Sequence, residues 1–279
     1  GRTTWSVAKG TDGVRPIVRN NSGTWQYNSE SSTTTTGYNL SSLSYDNKSF
    51  GTGRSLNDVA VKPDGTKIYY IGNNAYIHER TLSTANDITT AGSEVTFNQS
   101  SQDNDPRDIT FKPDGTKMYL SGDQYNKIYQ YSLSTAWDIS TASYDSKSYS
   151  PSITPYSTQF KSDGTKMYIC NNTTIAEFSL STAWDVSTAS STSNTLTISS
   201  QDGTMLGIFL KPDGTQMITV GQDNDKIYVY NFGTAWDLST LSYSNNSYSV
   251  ASQAQTPRGI AFNSDGTKAY IADYSSQNI

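Results

Sequence analysis

A six-residue turn signature recurs five times in this chain, and its even spacing leaves few folds open. It reads Lys62-Pro63-Asp64-Gly65-Thr66-Lys67, then returns at 112–117, at Lys161-Ser162-Asp163-Gly164-Thr165-Lys166, at 211–216 and at 263–268. Its aspartates fall at 64, 114, 163, 213 and 265, so successive units are 49 to 52 residues long. A supersecondary unit repeated in register at that period means that the repeat is the fold.

Within one unit the pattern predicts four short strands, at 108–112, 117–121, 127–132 and 143–149, with no helical periodicity between them. The first strand alternates strictly, placing Val59/Val61, Ile109/Phe111, Thr158/Phe160, Ile208/Leu210 and Ile260/Phe262 on one face. Pro-Asp-Gly supplies the first turn, because Pro presets φ, Asp bonds the backbone ahead and Gly accepts φ > 0. A second signature, Leu133-Ser134-Thr135-Ala136-Trp137-Asp138-Ile139-Ser140-Thr141-Ala142, recurs at 180–189, altered at 232–241, and at 82–91 with Asn86 in the tryptophan place. Trp137, Trp184 and Trp236 are therefore expected to plug the seams between adjacent units rather than to stack a ligand. Four-stranded antiparallel units at this period are the blades of an all-β β-propeller.

The ends bear on the blade count. A strand at 44–50 precedes the first hairpin, and Gln277-Asn278-Ile279 stands where Asn126-Lys127-Ile128 opens a third strand. With 24–29 and 44–50 supplying strands three and four of a final blade, five blades result, which is favoured; six is the alternative. Residues 1–40 read as a strand-rich lead-in anchored by Trp5 and Trp25, with a polar linker at 31–36, and 41–279 as the propeller. Opening on Gly1-Arg2-Thr3 without Met, the chain reads as processed or as a fragment.

The strand-turn-strand Phe111-Lys112-Pro113-Asp114-Gly115-Thr116-Lys117-Met118-Tyr119-Leu120 resembles the blade hairpin of the YVTN and lactonase-like propellers. The hairpin together with the Leu-Ser-Thr-Ala-Trp-Asp link is similar to repeats of bacterial surface proteins and phage tail proteins. That likeness implies a propeller fold and a place on a virion or cell surface.

Composition removes several function classes. A net charge of -5 gives no basic field for phosphates, so no nucleic-acid partner is expected. Cys170 has no mate for a disulfide, and no apolar run approaches the roughly 20 residues of a membrane span. His78, the one histidine, falls where Tyr129 and Tyr228 sit in other third strands, and Cys170 falls on a second strand with Ile71, Ser121, Val220 and Ala272. Both read as packing residues, so neither a Ser-His-Asp triad nor a thiol nucleophile finds support.

The loops richest in polar groups follow strand two and precede strand one, and in a propeller both sets share one rim. They carry Asn73, Asn74, Asp123, Tyr125, Asn126, Asp223, Asn224, Asp225 and Tyr274 in the first set, and Asp103, Asp105, Arg107 and Arg258 in the second. Carboxylate, amide, guanidinium and aromatic groups together suit sugar hydroxyls and the C–H face of a sugar ring. The same Asn, Asp and Gly residues are also ordinary turn formers. Asp103/Asp105 and Asp223/Asp225 form D-x-D pairs that suit Ca²⁺ but lack the remaining ligands of a calcium loop, so no cofactor is expected. For a lactonase-like metal, the first strands offer only Asp58 and Asp108, against Ser157, Gly207 and Gly259 in the other units. The expected function is non-enzymatic: an extracellular or virion-surface module of the tail-fibre or adhesin kind, binding a cell-surface glycan or protein and other structural subunits. A metal-dependent lactonase-like hydrolase and a purely structural assembly protein are the alternatives.

Overall fold

The computed structural model describes residues 37–279 throughout, and before them the backbone of β1 (Ala8–Lys9), β2 (Pro16–Arg19) and β3 (Trp25–Tyr27). These three strands form one antiparallel sheet in order β1-β2-β3 within a compact unit, Gly1–Gly37. Trp5, the Trp25 side chain and the 31–36 linker lie outside the described residues.

The second unit, Tyr38–Ile279, is a β-propeller. Its first blade comprises β4 (Leu56–Val61), β5 (Lys67–Gly72), β6 (Tyr76–Leu82) and β7 (Ala91–Asn98). The second has β8 (Pro106–Phe111), β9 (Lys117–Gly122), β10 (Lys127–Leu133) and β11 (Ala142–Tyr149). The third has β12 (Ser157–Phe160), β13 (Lys166–Asn171), β14 (Thr174–Leu180) and β15 (Ala189–Thr197). The fourth has β16 (Met205–Leu210), β17 (Gln216–Gly221), β18 (Lys226–Phe232) and β19 (Leu241–Ser249). Each is an antiparallel meander in chain order. A fifth sheet has two strands only, β20 (Pro257–Phe262) and β21 (Ala269–Asp273). The first strands β4, β8, β12, β16 and β20 pack in succession, and β20 returns to β4, so the ring closes.

The expected count of five four-stranded blades is thus corrected to four, with a two-stranded sheet completing the ring. Residues 25–27 do not supply a strand to the last blade, because they pair with β2. From 44–52 the pairing is confined to residues 50–52, which bond the backbone of 277–279.

The excess of Tyr over Phe has a local cause. Tyr69, Tyr119 and Tyr168 occupy one position of the second strand, at most 1% exposed, and each hydroxyl leaves the core to donate to the neighbouring blade. The acceptors are the carbonyls of Trp137, Trp184 and Trp236, at 2.7, 2.8 and 2.6 Å. Phe would fill the same volume but lose this bond between blades, leaving the Trp137 and Trp236 carbonyls only their second donors, Lys67 at 2.9 Å and Lys166 at 3.0 Å. Trp137 in turn packs against Tyr69 of the preceding blade and Phe111 of its own, centroids 6.3 and 5.1 Å away.

The turn glycines close this seam. Gly115 takes φ 73°, and a Cβ there would lie 2.2 Å from the Trp137 ring. Gly53 has nearly the same φ, 70°, with nothing within 4 Å of its Cβ position. Gly53→Ala should therefore cost only the left-handed penalty, about 1–2 kcal/mol. Gly115→Ala adds overpacking and should cost about 2–4 kcal/mol. Urea unfolding midpoints compare the two, and equal losses would show that the Trp137 contact contributes nothing.

Candidate functional site

Strand registers place two loop sets at one end of the ring. Pro106 pairs with Gly122, Lys127 with Gly122 and Ile128 with Tyr149, so the loops entering first strands lie beside the turns between second and third strands. The hairpins and tryptophan links lie at the other end.

At this end Asn57, Arg107, Tyr156, Leu206 and Arg258 share one repeat position at the start of the first strands, Asn57 buried and the other four partly buried. Arg258 lies over the Tyr274 ring, its guanidinium carbon 3.6 Å from the centroid. One of its terminal nitrogens donates to Asn57 Oδ1 at 2.9 Å. Asn57 Nδ2 reaches the next blade, donating to the Pro106 carbonyl at 2.8 Å. Arg107 beside it donates to Asp105 at 2.8 Å and Asp123 at 2.7 Å, and stands 5.8 Å from the Tyr156 ring. The result is a polar strip, Tyr274-Arg258-Asn57-Arg107-Tyr156, running across four sectors of the ring. Burial, and then the Arg107 charge, lower the Arg258 pKa. The Nε atoms of Arg107 and Arg258 are buried without a hydrogen-bond partner.

Of the sequence-predicted residues, this strip gathers Arg107, Asp105, Asp123, Arg258 and Tyr274. Others serve the loops themselves. Asp103, 1% exposed, accepts from the Asp105 amide at 2.8 Å and the Tyr125 amide at 3.3 Å. Gly122 is required beside it, since a Cβ would meet that carboxylate at 2.2 Å. Asn74 caps its own turn through the Tyr76 amide at 3.0 Å, and Asn73 is exposed. Asn224 bonds the buried Asp202 carboxylate through its amide, 3.0 Å, and the Gln201 carbonyl through Nδ2, 3.0 Å. Tyr125 stands 56% exposed, and Asn126 and Asp223 are exposed with it. Asp225 keeps one buried oxygen without a partner, and burial, then Asp273 and Asp202, raise its pKa. Asn57 and Tyr156 were missed. The signal was present, since both occupy the repeat position of Arg107 and Arg258.

One residue deeper, the ring solves a backbone problem. The inner edge of each first strand has no strand partner, so its N–H groups need acceptors. Asp58 Oδ2 accepts from the Ile109 amide of the next blade at 3.0 Å. Asp108 Oδ1 accepts the Ser157 hydroxyl at 2.7 Å, and Ser157 Oγ accepts from the Ile208 amide at 3.2 Å. Gly207 and Gly259 complete the ring where backbone or Asp58 leaves no room for a side chain. Both carboxyls are buried, and their pKa values are raised by burial.

The thiol and the imidazole are both buried. Cys170 is fully buried, and burial, then Asp108, push its thiol up to about 12. His78, 1% exposed, stacks on Tyr70 with centroids 5.0 Å apart, and burial, then Arg54, lower its pKa to about 4. Among the described residues, no three His, Cys, Asp or Glu side chains gather as a metal-holding group.

No family model and no curated protein matches the chain. Solved structures do resemble it. One is a functionally unknown protein from Desulfotomaculum acetoxidans, at 13% identity and TM-score 0.47, covering 79% of this chain and 63% of that one. Another, named "putative 6-phosphogluconolactonase", from Bacteroides uniformis, is 15% identical at TM-score 0.45, covering 85% of this chain and 65% of that one. A third is the Cps50 (Swd1) β-propeller domain of Myceliophteria thermophila, 9% identical at TM-score 0.47, with 82% of each chain covered. The chain spans a little under two thirds of the length of the first two. At these identities the likeness concerns the β-propeller fold and nothing finer.

Proposed function

We propose that the chain is a non-enzymatic recognition module that binds a cell-surface glycan at the Tyr274-Arg258-Asn57-Arg107-Tyr156 strip. The observation that carries this reading is the strip itself. A guanidinium lying over one ring at 3.6 Å and a second guanidinium near another ring pair flat apolar faces with directed donors. Sugars present the complementary surface, an apolar C–H face bordered by hydroxyls. The carboxylates of Asp105 and Asp123 beside Arg107 supply acceptors for the same hydroxyls. Exposed Tyr125, Asn126 and Asp223 extend the surface outward. The buried state of Cys170 and His78 favours binding over catalysis. The Ser/Thr/Asn/Tyr-rich surface suits a tail-fibre or adhesin setting, extracellular or on a virion, beside other structural subunits.

A glycan array probed with the parent chain and with Arg258→Ala, Tyr156→Ala and Lys161→Ala tests the proposal. The first two changes should each weaken binding about tenfold or more, corresponding to about 1.4 kcal/mol. Lys161, on a hairpin at the opposite end, should leave it intact. Binding indifferent to both Arg258→Ala and Tyr156→Ala would move the site off the strip.

A further inference from the structure

Two arginines share one position of the repeat, and only one of them comes with counter-charges. Pro106 pairs with Gly122 just ahead of Arg107, and Pro257 pairs with Asp273 just ahead of Arg258. The Asp123 amide donates to the Asp105 carbonyl and the Tyr274 amide to the Thr256 carbonyl, each at 3.0 Å. Asp105 and Asp123 of the second blade therefore correspond to Thr256 and Tyr274 of the fifth sheet. The first pair sets Arg107 between two carboxylates, at 2.8 and 2.7 Å. The second pair gives Arg258 a hydroxyl residue and an aromatic ring in their place.

Arg258 is held in place by groups that carry no charge. Besides the Tyr274 ring beneath it, the one acceptor it meets among the described residues is Asn57 Oδ1 at 2.9 Å, for five N–H donors. Asn57 is itself fixed, 4% exposed, with Nδ2 donating to the Pro106 and Gly72 carbonyls at 2.8 and 3.3 Å. Asp273, next to Tyr274 in the chain, is spent on its own loop, accepting the Thr256 amide at 2.7 Å and the Ser276 amide at 2.9 Å. Arg54 and Arg80 both pair with Glu94, and Arg107 has its aspartates. Arg258 is thus the one arginine among the described residues with no carboxylate in ion-pair range, and the Arg107 charge acts on it as well. A partly buried cation in that position is costly, and an anion relieves the cost.

We infer that the glycan bound at the strip is acidic, and that a sugar carboxylate supplies the counter-charge which the fold withholds from Arg258. This rests on the reading of the strip as a glycan site and narrows it to carboxylated sugars, the uronic and sialic acids being the common kinds. A carboxylate suits the guanidinium better than a hydroxyl does, because charge-assisted hydrogen bonds are roughly twice as strong as neutral ones. The chain's net charge of -5 does not draw anions over a distance, so selectivity has to come from this contact.

The test is an array of glycans bearing uronic or sialic acids, each printed beside its methyl ester and beside neutral glycans, and probed with the full chain. The parent should bind an acid at least about tenfold more tightly than its own ester. Arg258→Gln should bring that ratio close to one, and Arg258→Lys, which keeps the charge, should retain most of it. Tyr156→Ala should weaken acid and ester alike and leave the ratio standing. An ester bound as tightly as its acid overturns the inference, and so does a preference that survives Arg258→Gln. Binding of neutral glycans with no preference for acids overturns this inference alone and leaves the glycan reading of the strip in place. An array with no glycan bound at all overturns both.

Discussion

Glu177→Leu should lower stability by about 2–3 kcal/mol, whereas Glu177→Gln should cost no more than about 1 kcal/mol. Glu177 is 2% exposed and works across a blade boundary. Its Oε2 receives the Leu238 amide at 3.3 Å, at the start of the next blade's one-turn helix, and Lys166 Nζ at 3.1 Å. Glu79 repeats the arrangement with the Ile139 amide at 3.0 Å and Lys67 at 2.5 Å. In the intervening blade Gln130 does the same with a neutral amide, accepting from Val186 at 3.1 Å and donating to Asp145 at 2.8 Å. Glutamine is thus a native solution at this position. Leucine is not, since it leaves a buried N–H unpaired. Lys166, 29% exposed, can turn to water, which keeps the loss below that of a fully buried pair. Urea unfolding of the two variants decides the matter, and equal losses would assign the effect to packing instead of the capped amide.

That position also shows where reading the sequence reaches its limit. Strand boundaries, the Pro-Asp-Gly turn and the tryptophan link follow from local chemistry repeated in register, and the inner strands lie where alternation places them. Glu79, Gln130 and Glu177 each occur in a strand that could face water, and nothing local says that their partners sit one blade away. The same holds for Asp58 and Asp108. In the sequence they are the first-strand carboxylates that a lactonase-like metal would need; in the fold they serve the free edge of a neighbouring strand. At the candidate strip, Arg107, Arg258 and Tyr274 were legible because charge and aromaticity stand out in a polar loop. Asn57 and Tyr156 were recoverable only by reading down the repeat position instead of along the chain. The blade count failed for a different reason. Strand-like sequence at 24–29 was assigned to the last blade, although β2 offers a nearer partner in sequence.

Measured relative to an Asp58→Asn variant, the stability of the parent should fall as pH rises from about 5 to about 7, by about 2–3 kcal/mol. Asp58 and Asp108 lie 6% and 1% exposed on adjoining first strands. Burial raises both, and for Asp58 the Asp108 charge raises it further. The folded chain therefore holds a proton that the unfolded chain releases near the ordinary carboxylate range. Between those pKa values the native state binds more protons than the unfolded state, so stability is full at the acid side and declines as pH rises. His78 acts in the opposite direction. Its folded pKa of about 4 lies below the unfolded value, so its contribution grows as pH rises from about 4 to about 6.5. Because His78 is present in both chains, subtracting the variant's pH profile from the parent's isolates the carboxyl pair. Asn at 58 keeps an oxygen for the Ile109 amide and offers Asp108 an N–H in place of the shared proton, leaving Asp108 ionised with the Ser157 hydroxyl as donor. Parallel profiles for parent and variant across this range would mean that the two carboxyls share no proton in the folded ring.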